Sequence, residues 1–539
     1  MKRNGMCPVC FIKRFFTMPS NVSEVYPEGL YDNGAAMTPP MGWSSWNTFK
    51  NRIDENLIYD TAVAMKEKGL LEAGYRFVNI DDNWVCNNRD ENGRMQSDPL
   101  TFPHGIPALV EKVNALGISL GVYSSNGTAT CEDLTASLYH ERLDAETIAE
   151  WGVEYFKYDF CHNEPMSEYA PLVYAVTVSG NCEPATYQCT EAVLSGLARR
   201  MPTKKTECGK YVSGLDRREG AMTFENVEVK DAGEYDLTVH IVKHGRYKKC
   251  LMIEVNGKER VTVDFPDQKK YNDTAKFSVK VNLEKGKNSI KLFNPIGSRA
   301  DSAMLQYRLM GRELKNAATK VSAETGKPRK NITFSICEWG WNQPYKWGRL
   351  TGNLWRTTPD IRPFWPWIKI IYNHNVKLYK YAGPGGWNDP DMLEVGNGKL
   401  TRNQNRSHFA LWCMMCAPLI LGNDLRSISD EVLNIVTNKN LIAVNQDALG
   451  VQAKRISKGD VDTLVKPLSD GSVAVCLFNK GGKKKRKIDI NRIAADEYSG
   501  LEKKSSYEVK DLWTDERFTS DGVLRVGIDK HDSAVFIIK

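Results

Sequence analysis

The 539-residue chain has no apolar run of 18 residues or more, so nothing in it reads as a membrane-spanning helix, and no membrane partner is expected. No GxGxxG follows any apolar segment, which argues against a dinucleotide site. The 13 cysteines are scattered and odd in number, which excludes a disulfide framework for a chain of this length. One CxxC, Cys7 and Cys10, lies near the start. Alone it is weak evidence for zinc, which takes four ligands, and no metal or other cofactor is expected. An excess of one charge is also missing, since 73 basic and 66 acidic residues leave a net +7. The basic residues are spread out except in "GGKKKRKID" at 481–489, which a solvated hairpin explains better than a nucleic-acid patch.

The first twenty residues, "MKRNGMCPVCFIKRFFTMPS", are basic, but Lys13 and Arg14 interrupt their apolar stretch. Without a clear secretory h-region, the cytoplasm is favoured and secretion is the alternative. A homo-oligomer is compatible with the sequence.

Hydrophobic content is 41% and charged content 26%, as in globular proteins, and the length suits two to four domains. Short apolar runs alternate with helical stretches. The strand candidates are "PMGWSSW" (40–46), "YRFVNIDD" (75–82), "ISLGVYSS" (118–125), "VEYFKYD" (153–159), "ITFSICEW" (332–339), "LWRTTPD" (354–360), "KYAGPGGW" (380–387) and "APLILGND" (417–424). Helices are expected near 56–73, 106–116, 143–151 and 303–325. Eight such units predict an α/β fold, a (β/α)₈ TIM barrel.

One interval breaks the alternation. "GEYDLTVHIV", "KCLMIEVNGKERVTVDF", "AKFSVKVNL" and "NSIKLFNP" have period-2 patterning with Asn-Gly and Gly-Lys turns, as in antiparallel strands. The expected layout is an N-terminal extension (1–30), the first part of the barrel (31–174), an inserted β-sandwich (175–300), the second part of the barrel (301–452) and a C-terminal antiparallel β-domain (453–539).

Barrel active sites are built at the C-terminal ends of strands. There the sequence puts Trp46, Asp81, Asp82, Tyr123, Lys157, Asp159, Glu338, Arg356, Asp360, Asp389 and Asp391. Carboxylates end five of the eight candidate strands, too many for ordinary caps. Trp43, Trp46, Trp84, Trp339, Trp341 and Trp387 lie close by in sequence, although some of them would only fill the barrel top. Aromatic faces and carboxylates together suit a sugar, and two carboxylates flanking a glycosidic bond are the machinery of glycoside hydrolysis. A nucleophilic carboxylate must be charged. Lys157, two residues before Asp159 on the same strand face, could favour that charge.

"TPPMGWSSWNTF", "NIDDNW", "GVYSSNGTATC", "KYDFC", "SICEWG", "WRTTPDI" and "AGPGGWNDPDML" resemble, in order, the signature segments of glycoside hydrolase family 27, the melibiase-type α-galactosidases. The likeness covers about 37–165 and 302–450, and more loosely the C-terminal block. It implies a retaining exo-acting barrel enzyme that releases terminal α-linked galactose from an oligosaccharide or glycan by double displacement, without a metal. By the same resemblance Asp159 matches the nucleophile and Asp360 the acid/base. Asp81 and Asp82 match the pair holding the sugar 4- and 6-hydroxyls. Trp46, Tyr123, Lys157, Arg356 and Asp391 match the remaining binding shell, with which Trp341 is also counted. Cys131 and Cys161 match a disulfide beside the site.

Glu338 matches the residue facing the 2-hydroxyl in galactose enzymes, and its carboxylate would clash with an acetamido group. This favours galactose over N-acetylgalactosamine. Relatives acting on β-L-arabinopyranosides enlarge one of the acidic pair, whereas both are Asp here. Those two specificities are the alternatives, and an inactive lectin-like barrel is a third. "YSSNG" stands where "YSDAG" is more usual. The insert, absent from most of the family, resembles carbohydrate-binding modules of families 6 and 35.

Overall fold

The structure is a computed structural model that describes residues 30–181, 183–245, 248–265 and 273–539. Cys7, Cys10 and all but the last residue of the expected N-terminal extension lie outside the described residues. Two compact units are present. Leu30–Asn163 and Tyr307–Lys539 make one, and Glu164–Gln306 belongs to the other.

Eight parallel strands organise the larger unit: Met41–Ser44, Phe77–Asn79, Ser119–Ser125, Tyr155–Asp159, Thr333–Cys337, Leu354–Arg356, Trp387–Asp389 and Leu419–Leu421. The first seven pair with one another in sequence order, and the eighth pairs with the first, Met41 opposite Leu419. The ring closes where Leu393, just past the seventh strand, bridges in parallel to Leu421. The strands are buried almost throughout, as parallel strands covered on both faces must be. Close packing limits side chains at some points. A Cβ on Gly121 would lie 2.0 Å from Asn79 Oδ1.

The helices Glu55–Glu67, Gly105–Asn114, Glu141–Glu150 and Arg299–Thr325 fall near the expected ranges. The sixth and eighth strands are shorter than their sequence patterns suggested, because Thr357–Asp360 and Gly422–Asp424 are loop or turn, and the seventh, expected at 380–387, lies instead at Trp387–Asp389 because 380–386 form turns closed by a Gly383–Gly386 bridge.

The C-terminal part of this unit is an antiparallel sheet of six strands between Lys454 and Ile538. Val465, Val475, Leu477, Val509, Phe536 and Ile538 contribute to its core. The basic run differs from expectation. Lys484–Asp489 forms a strand, but it pairs with the distant Val523–Ile528 and not within a local hairpin. Ile488 is buried opposite Leu524, and this long-range burial selects the partner.

The smaller unit contains a five-stranded and a six-stranded antiparallel sheet. Val176, Leu237, Val239, Leu251, Ile253 and Leu292 are among the residues of its apolar core. Its first strand, Leu172–Ser179, begins slightly before 175. The Asn256–Gly257 turn has φ of 51° and 68°. That is the left-handed pair a two-residue hairpin prefers. Among the described residues, no helix is long and apolar enough to cross a membrane.

Candidate active site

The fourth barrel strand is apolar because Tyr155, Phe156 and Tyr158 pack into the core, with Tyr158 edge-on to Tyr307 at 5.7 Å. Asp159 closes the strand, in register with Ser125 on one side and Cys337 on the other. It lines a cleft together with Trp46, Asp81, Asp82, Tyr123, Cys131, Lys157, Trp339, Arg356, Asp360, Asp391 and Met392.

Asp159 is buried. Its Oδ1 accepts a hydrogen bond from the Phe160 N–H at 2.8 Å. Burial pushes its pKa up to about 6, against the opposing pull of Lys157 and the Phe160 amide. Asp360 is more open, with 64% of its side-chain surface exposed, and pairs with Arg356 at 3.0 Å. Burial works against its charge, but Arg356 and Lys157 outweigh it and hold the carboxyl below its usual range. Arg356 also bridges to Asp391 at 2.9 Å.

The acidic pair is held by its surroundings. Asp81 accepts from Ser44 Oγ, the Asp82 N–H and Lys157 Nζ. Asp82 accepts from the N–H groups of Asn83 and Glu132. Asp391 takes the Ile361 and Met392 N–H groups. Tyr123 lines the cleft, and its buried hydroxyl has no hydrogen-bond partner. Such an orphan is costly unless a ligand satisfies it.

Cys131 and Cys161 are bonded, with Cα atoms 5.2 Å apart, and join the loops after the third and fourth strands. Cys131 Sγ lies 3.7 Å from Asp159 Oδ2. These two sulfurs and the Asp159 carboxylate are the one group among the described residues with three potential metal-ligand atoms close together, and the sulfurs are already joined to each other. Contrary to the expectation of a single CxxC, Cys413 and Cys416 form a second one. Both thiols are buried, and Cys416 is engaged by Lys466 and the Val451 carbonyl.

Two expected binding residues are not among those lining the cleft. Glu338 is fully buried, and both of its carboxylate oxygens accept from the Asn342 N–H, at 2.8 and 3.0 Å. Trp341 is 61% exposed and meets Trp339 edge-on at 5.1 Å. The tryptophans divide further. Trp43, Trp84 and Trp387 are buried, donating to the carbonyls of Asn423, Tyr123 and Ala36. They brace the rim, while Trp46 and Trp339 face the cleft. Met392 also lines it, and its apolar side chain carried no signal in the sequence.

A carboxylate-rich cleft with aromatic walls at the C-terminal ends of parallel barrel strands defines a carbohydrate-active barrel. The chain belongs to the family described as Alpha galactosidase A, which matches residues 38–213 and 302–447. Residues 458–538 match the Alpha galactosidase C-terminal beta sandwich domain. It is 31% identical to an alpha-galactosidase of Cyamopsis tetragonoloba, over 94% of this chain and 88% of that one. With the Coffea arabica alpha-galactosidase it shares 32% identity, over 94% and 96% of the two chains. Among solved structures, alpha-galactosidase I from Mortierella vinacea superimposes with a TM-score of 0.64 at 26% identity, covering 94% of this chain and 98% of that one.

Proposed function

We propose that this protein is a retaining exo-α-galactosidase acting on terminal α-linked galactose of oligosaccharides or glycans. The observation that carries the reading is the joint presence of Asp159 and Asp360 in one cleft whose polar groups come from several different strands. Membership of a family whose named relatives are alpha-galactosidases supports it.

In this mechanism Asp159 attacks the anomeric carbon while Asp360 protonates the departing oxygen, and the glycosidic bond breaks as a glycosyl ester forms. Water then attacks the ester, Asp360 takes its proton, and Asp159 is released. At neutral pH Asp159 is ionised, as a nucleophile must be. Asp360 is ionised in the free site through its pairing with Arg356. It can act as the acid if substrate covering its exposed face raises its pKa, since desolvation disfavours the charged carboxyl. Asp81, Asp82, Lys157 and Asp391 would bind the hydroxyls. The unenlarged Asp81 and Asp82 pair favours galactose over arabinopyranose. The Cys131–Cys161 disulfide favours an exported protein over a cytoplasmic one, because oxidised pairs persist outside the reducing cytosol.

A panel of p-nitrophenyl glycosides tests the specificity, and NMR of the first sugar released tests the stereochemistry. The expected result is turnover of the α-galactoside well above the α-N-acetylgalactosaminide and the β-L-arabinopyranoside, with α-galactose appearing first. A β anomer formed first, or a preference for either other glycoside, would overturn the reading.

A further inference from the structure

We infer that Trp341 forms a subsite for the sugar ring of the leaving group, a role distinct from holding galactose. The inference rests on the galactosidase reading above. Trp341 is outside the cleft, but its ring packs edge-on against Trp339, which lines it. A tryptophan 61% exposed is a large apolar surface left in water.

The loop spends conformational energy to hold it there. Trp339 and Gln343 have φ of 58° and 55°, in the left-handed region that bulky residues avoid. Between them Gly340 has φ 82°, and a Cβ on it would lie 2.3 Å from the Thr357 carbonyl oxygen. Glu338, buried beneath, clamps the far side through the Asn342 N–H. An exposed side chain on a strained, clamped loop is pre-organised for contact and not merely left over from packing.

The position also fits the chemistry. Gly340 abuts Thr357, in the segment that runs from Arg356 to Asp360. The Trp341 loop therefore packs on the segment carrying the proposed proton donor. Asp360 is the open carboxylate of the pair, whereas Asp159 is buried. The leaving oxygen must meet Asp360, so the ring attached to it emerges on this side. A flat indole there can stack on the C–H face of a pyranose and needs no particular hydroxyl pattern. The occupant is thus a neutral sugar ring covalently joined to the galactose in the cleft.

The test compares Trp341→Ala and Trp341→Phe with the wild-type full chain on raffinose and melibiose, which have sugar leaving groups, and on α-galactosyl fluoride, which has none. For Trp341→Ala, kcat/KM on the two oligosaccharides should fall about five- to tenfold further than on the fluoride, as expected for loss of one aromatic stacking contact. Trp341→Phe should recover part of that selective loss. Equal losses on all three substrates, or identical behaviour of the Phe and Ala variants, would overturn the subsite. If the wild-type protein turns over none of the three, the galactosidase reading itself fails and the subsite fails with it.

Discussion

Lys157 Nζ lies 2.8 Å from Asp81 Oδ2, so the lysine two residues before the candidate nucleophile forms its ion pair with a carboxylate just past the end of the second barrel strand. It also packs over the Tyr123 ring at 5.2 Å. Burial opposes its charge, but Asp81 and the other anions nearby hold its pKa above the usual lysine range. The cation therefore serves two carboxylates. It neutralises Asp81 directly and draws the Asp159 pKa down through space.

This arrangement sets a pH dependence. Asp159 must be ionised to attack, and burial raises its pKa to about 6. The ionised fraction falls as pH drops through that value, so kcat/KM should decline below about pH 6. Lys157→Met removes a cation that lowers this pKa, and should move the acid limb to higher pH. Single-turnover rates with α-galactosyl fluoride across pH 4–8, about the carboxylate range, measure it. A limb that stays in place would contradict the coupling.

Asp159→Gly should lower turnover by about a thousandfold or more, because no glycosyl ester can form. Azide can occupy the vacated face, and the expected product with α-galactosyl fluoride is β-galactosyl azide. Formation of the α-azide would place the nucleophile elsewhere.

Asp360→Ala should cost about 10²- to 10⁴-fold on raffinose, whose leaving oxygen needs a proton. The loss should be much smaller on α-galactosyl fluoride. Azide should here give α-galactosyl azide, since it attacks the glycosyl ester from the opposite face. The two variants thus assign the two carboxylates by the anomer of a single product, read by NMR.

Replacing both Cys131 and Cys161 with Ser opens a bridge spanning 30 residues and should destabilise the fold by about 3–4 kcal/mol. Urea unfolding of the variant against the wild type measures the difference. An unchanged midpoint would show that the bridge adds nothing to stability.

The sequence by itself determined the eight-strand alternation, because parallel strands covered on both faces must be apolar and their ends must turn. It also marked Asp159, Asp360 and Asp391 as candidates, because carboxylates recur at or just past the ends of the candidate strands more often than ordinary capping explains. The period-2 pattern around Asn256–Gly257 marked the hairpin directly, because that turn is chosen locally. The tertiary structure decided what depends on partners distant in the chain. Lys157 pairs with Asp81, 76 residues away, and Lys484–Asp489 finds Val523–Ile528 through burial of Ile488 against Leu524. Trp43, Trp84 and Trp387 became supports, Trp46 and Trp339 became walls, and Trp341 stayed exposed. Composition and spacing treat these six alike. Their roles separate only when barrel closure fixes which face of each loop meets the core, the cleft or water.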